Sequence, residues 1–126
     1  MSEVPKKIFD MLLESQYWTP DQMLFFQRNQ LAQLLQHAKA NVPFYQSRLD
    51  PVFKSNGGID WARWNEIPIV KRHNLVNDRE SMLASHLPPG HGDTREIFSA
   101  GSSGTPIITT HNHLAGLVSD MAAYRS

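Results

Sequence analysis

Glu96-Ile97-Phe98-Ser99, Ala100-Gly101-Ser102-Ser103-Gly104-Thr105 and Pro106-Ile107-Ile108-Thr109-Thr110 form one continuous stretch that decides the fold class. Its outer runs are rich in β-branched and aromatic residues and its middle in glycine and serine. It therefore predicts a strand-loop-strand unit, a β-hairpin over about residues 95–110. Downstream, Leu114, Leu117, Val118 and Met121 recur at helical spacing and predict a helix over 112–126. Immediately upstream, Pro88-Pro89-Gly90-His91-Gly92 marks a linker, 88–94.

Residues 1–87 are expected to be helical. The clearest helix starts at Thr19-Pro20-Asp21-Gln22, where Thr19 can cap, Pro20 suits the first helical position and Gln22 completes a capping box. Leu24, Arg28 (by its stem), Leu31, Leu34, Leu35 and Ala38 then define an inward face, with Gln27, Gln30, Gln33 and Gln36 elsewhere. Asn41, which can turn left-handed, and Pro43, which cannot continue a helix, place the stop near residue 40. A shorter helix is expected over 4–16, another over Pro43 to Leu49, a turn at Gly57-Gly58 and a helical turn from Asp60 to Trp64. Pro68 argues against a central strand at Ile67–Val70, and residues 71–84 read as one helix with Leu75, Met82 and Leu83 inward. The expected fold class is α+β, a helix-dominated segment followed by a β-hairpin.

Composition narrows the function classes. Twelve Lys plus Arg balance twelve Asp plus Glu among 126 residues, so no global field favours nucleic acid or an anionic membrane. No cysteine is present, which removes disulfides, thiolate nucleophiles and Cys-containing zinc sites. Apolar runs fall far short of the ~18 residues of a membrane span and no signal-peptide core opens the chain, so the expectation is a cytoplasmic protein. Residues 1–80 hold 19 of the 24 charged side chains, and five of the seven glycines lie at or after Gly90, so chemistry is expected in the polar, glycine-rich second half.

That chemistry concentrates in Ser99–Pro106. Successive amides of a glycine-rich turn can form an anion nest, and Ser99, Ser102, Ser103 and Thr105 add hydroxyl donors, so the loop reads as a phosphate cradle. The competing reading is a solvated Ser-Gly turn. A Walker A loop fails on spacing, because two residues separate Gly101 from Gly104 and no Lys follows. A Gly-x-x-Gly nucleic-acid loop fits poorly beside Pro106 and without basic neighbours.

The same octet resembles the Ser/Thr-Gly-rich phosphate loop of adenylate-forming ligases. Gln30 to Leu35, His37-Ala38 and Asn41-Val42-Pro43-Phe44-Tyr45 are similar to the N-terminal signature of phenylacetate-coenzyme A ligases. Ile67-Pro68-Ile69-Val70-Lys71 followed by Leu75 resembles their Leu-Pro-x-x-x-Lys-x-x-Leu segment. The resemblance spans about residues 17–118 and implies the N-terminal part of the large domain of such an enzyme. The reaction it implies is attack of a small-molecule carboxylate on MgATP to give an acyl-adenylate, then transfer to coenzyme A. Carried over, Ser102, Ser103 and Thr105 are side-chain donors to the β- and γ-phosphates, Gly101 and Gly104 allow backbone approach, and Ser99 is a lesser candidate.

Two departures bear on phosphate affinity: Ala100 stands where a hydroxyl is usual, and Thr105 where many members have Lys and others Thr. The family's adenine-binding segment, magnesium-associated acid, hinge and catalytic lysine have no counterpart in the 126 residues. The chain alone is thus expected not to complete the reaction, and no catalytic residue or metal ligand is assigned. The alternative class is a non-catalytic helical interaction module or a vestigial ligase, with self-association through apolar surface.

Three further groups have bland readings. His111 and His113 lack an acidic neighbour within six positions and, with His86 and His91 upstream, read as loop histidines rather than a metal site. Trp61, Trp64, Phe53 and Tyr45 read as packing anchors rather than an aromatic cage. Lys71-Arg72-His73 reads as a solvated helix start that could face an anion.

Overall fold

Residues 3–99 and 104–125 are described by the computed structural model. The element order is α1 (Glu3–Ser15), α2 (Pro20–Asn41), 3₁₀ turns at Pro43–Tyr45, Asp50–Val52 and Trp61–Glu66, α3 (Arg72–Asn77), a 3₁₀ turn at Arg79–Met82, β1 (Thr94–Phe98), β2 (Ile108–Asn112) and α4 (His113–Arg125). This is a small α+β chain with a two-stranded antiparallel sheet. None of the described helices is long and apolar enough to cross a membrane.

Local chemistry explains α2. Thr19 N donates to Gln22 Oε1 at 2.9 Å and Gln22 N donates to Thr19 Oγ1 at 3.3 Å, a reciprocal capping box worth on the order of 1 kcal/mol. At its other end Asn41 does not turn left-handed, since among the described residues positive φ is confined to glycines. The terminal carbonyl is satisfied from afar instead: Ser85 N and Ser85 Oγ both donate to Asn41 O, at 2.7 and 3.1 Å. Lys39, in the last turn, pairs with Asp50 and donates to Gln46 O at 3.0 Å.

The chain clusters into two units. In the first, which includes residues through Asn29, Pro88–Ile97 and the stretch from Thr110 onward, α1 packs on α4. Pro5 and Met121 are buried there, and Trp18 meets Phe26 edge-to-face at 5.1 Å. The second, Gln30–Leu87 with Phe98–Thr109, buries Leu35, Val42, Leu49 and Val52. Leu34, expected inward, is 60% exposed, and Leu24 is exposed too. The apolar stripe of α2 is wider than the surface that covers it.

Three expectations are corrected in detail. The helix expected over Pro43 to Leu49 is a 3₁₀ turn at Pro43–Tyr45 that gives way to turns before Asp50. The single helix expected over 71–84 breaks at Asp78, whose φ of −104° and ψ of 15° leave the helical range. Asn74 and Asp78 divert their polar groups: Asn74 Oδ1 accepts from Lys71 N, Asn74 Nδ2 donates to Asp78 Oδ2, and Asp78 O accepts from Ser81 Oγ. Such side-chain competition is why Asn and Asp weaken helix interiors. Leu83, expected inward, follows that break and is exposed. The turn at Gly57-Gly58 stands, closed by Gly57 N to Lys54 O and Lys54 N to Gly58 O, with Gly57 at φ +82°.

The hairpin is shifted outward from the expected runs. His113 N donates to Asp93 O at 3.0 Å and Ser99 N to Ile107 O at 2.9 Å, so Thr94 lies opposite Asn112 and Phe98 opposite Ile108. Pro106, without an N–H, stays outside β2, while the pairing extends into the expected linker at Thr94. Asn112 ends β2 and starts α4, its Oδ1 accepting from Ala115 N at 2.7 Å.

Candidate functional site

Ser99 closes the hairpin loop. Its amide donates to Ile107 O and its Oγ accepts from Ile107 N, both at 2.9 Å, so this hydroxyl oxygen serves as a structural pin. Ala100, Gly101, Ser102 and Ser103 lie outside the described residues. Gly104 has φ +115°, and a Cβ built there would meet nothing within 4 Å. Backbone angle rather than lack of space thus requires glycine at this position.

Thr105 ends the loop and is held from a distant element: Arg72 Nη2 donates to Thr105 O at 3.0 Å. Around this bond lies an open cleft of about 510 Å³ lined by Lys71, Arg72, His73, Val76, Asn77 and Thr105. The lining residues include lysine, arginine and histidine and no carboxylate. The basic run read as a solvated helix start is exposed, yet it shares a cleft with the loop end. Arg72, the first residue of α3, is the member of the basic run that reaches Thr105.

His111 lies on β2 and His113 opens α4, while His86 Nδ1 lies 3.2 Å from Ser85 Oγ and His91 Nδ1 3.1 Å from Gly92 O. Among the described residues no three His, Asp or Glu side chains are placed to hold a metal ion. Two of the aromatic residues depart from the expected packing role. Tyr45 and Trp64 join Leu34, Leu35, Leu49 and Ile69 around an open apolar groove of about 730 Å³ instead of filling a core. Sequence periodicity misses this groove because Tyr45, Trp64 and Ile69 lie outside α2, whose stripe is the legible signal.

Arg63 and Glu66 form an exposed pair on the 3₁₀ turn that bears Trp64. The hydrogen bond from Arg63 holds the Glu66 carboxyl below its ordinary range, and Glu66 in turn raises Arg63. Arg63 Nε and Nη2 reach Glu66 Oε1 and Oε2 at 2.9 and 2.6 Å, a bidentate fork within that turn.

Comparison of the chain with family models, with curated proteins and with solved structures found no match.

Proposed function

We propose that this chain supplies the N-terminal segment and ATP-phosphate loop of a phenylacetate-coenzyme A ligase-like, adenylate-forming enzyme, one that activates a carboxylate with ATP and passes it to coenzyme A. The observation that carries this reading is the meeting of Lys71, Arg72 and His73 with Thr105 around one cleft, at the end of the loop that resembles the family's phosphate loop. A polyphosphate there would face cationic donors without an opposing carboxylate. Its charge would be met by these cationic groups, the form of electrostatic stabilisation that a departing pyrophosphate needs. These lining residues do not fit a magnesium ion, since none is an acid, and the chemistry assigned to them is anion binding alone.

Calorimetric titration with pyrophosphate and with ATP tests the reading. The unaltered chain is expected to bind both, and Arg72→Ala to weaken binding by roughly tenfold or more, as expected for loss of a charge-assisted hydrogen bond of about 1.5–3 kcal/mol. Ser102→Ala combined with Ser103→Ala is expected to weaken it further. Absence of binding by the unaltered chain at millimolar pyrophosphate and ATP would sink the reading.

A second reading, a non-catalytic interaction module that self-associates, draws on exposed aromatic side chains at Tyr17 and Phe25. It predicts a sedimentation coefficient that rises with concentration and becomes constant in Phe25→Ser.

A further inference from the structure

We propose that the apolar groove beside α2 is a binding site for an uncharged, ring-containing small molecule, a function separate from the anion cleft. Leu35 and Leu49, both buried, belong to its lining together with Ala38, while Leu34, Trp64 and Ile69 are exposed. None of its ten lining residues is charged, which favours an uncharged ligand. Tyr45 and Trp64 offer aromatic surface, and Tyr45, Trp64 and Asn65 bring hydrogen-bonding groups, the mixture that orients a mostly apolar ligand.

Size selects the occupant. About 730 Å³ falls within the ~300–1,000 Å³ typical of small-molecule sites. The wall is also tied in place. Arg48 stacks its guanidinium over Phe44 at 4.5 Å and reaches the carbonyls of Pro68 and Ile69 at 3.5 and 3.4 Å. Asp60 Oδ1 accepts from Ala62 N at 3.2 Å at the start of the turn that carries Trp64.

The test is a fluorescence titration of the full chain with N-phenyl-1-naphthylamine, a neutral aromatic probe that accepts energy from tryptophan. Saturable one-to-one binding is expected, with reduced energy transfer in Trp64→Phe. Ala38→Phe, which places a ring in the groove, is expected to weaken binding by roughly tenfold or more. Should Ala38→Phe fail to fold by circular dichroism, Leu34→Ser with Ile69→Ser decides the matter, because both positions are exposed, and the same loss is expected. Non-saturable binding, equal binding by the groove variants, or a dimer by sedimentation that excludes the probe and dissociates in Leu34→Ser with Ile69→Ser would each overturn the proposal. None of these outcomes depends on pyrophosphate binding.

Discussion

Leu49→Ala is expected to lower the unfolding free energy by about 2–5 kcal/mol, the range of large-to-small changes at buried leucines. Leu49 is 2% exposed and sits where the chain turns tightly, its amide donating to Tyr45 O at 3.1 Å and its carbonyl accepting from Val52 N at 3.2 Å. With Leu35, Val42 and Val52 it makes up the buried apolar set described in its unit, so a lost side chain has few neighbours to close the gap. Leu34→Ala is the matched control. It is the same truncation, made on α2 at a side chain 60% exposed, and is expected to cost little. Denaturant unfolding read by circular dichroism measures both variants, and equal midpoints for the two would show that the core does not lie at Leu49. At roughly 4–8 °C per kcal/mol for a domain of 60–100 residues, the Leu49→Ala loss is also large on a thermal scan.

The second large effect is expected at Gly92. Its φ is +75°, and a Cβ added there would lie 2.9 Å from His113 Cβ. Gly92→Ala therefore combines backbone strain of about 1–3 kcal/mol with a contact that real Cβ atoms avoid. The contact falls at the base of the hairpin, where His113 N donates to Asp93 O and α4 begins, so relief of the clash would pull on that hydrogen bond. Gly90→Ala separates the two causes, because Gly90 has φ +78° but nothing within 4 Å of an added Cβ. Gly92→Ala is expected to be the less stable of the two, with faster amide exchange at His113. Equal stability and equal exchange would show that the backbone angle alone matters at both positions.

Much of the fold is legible in the sequence because its signals are local. The Thr19 and Gln22 pair acts across three residues, and Gly57 and Asp60 set their turns through bonds that span two or three positions. The strand runs flanking the Gly-Ser loop do form a hairpin, with bounds displaced because pairing runs on to Asp93 and His113 while Pro106 cannot join the ladder. The helix expected over 71–84 fails for a local reason too: Asn74 and Asp78 supply competing polar groups that the periodicity of Leu75, Met82 and Leu83 does not weigh. Of the candidate site, Thr105 and the basic run are each visible in the sequence, but the run reads as a helix start because nothing in its own neighbourhood gives it a partner.

The sequence by itself determined where α2 begins, where the chain must turn, and that a β-hairpin follows a helical segment, since each rests on backbone preferences and hydrogen bonds between near neighbours. Only the tertiary structure decided that Arg72 meets Thr105 across 33 positions, that Ser85 completes the end of α2 across 44, and that Leu49 is buried while Leu34 is left on an apolar groove. Those outcomes depend on which distant segments exclude water from one another, and burial of that kind is a property of the assembled chain rather than of any window along it.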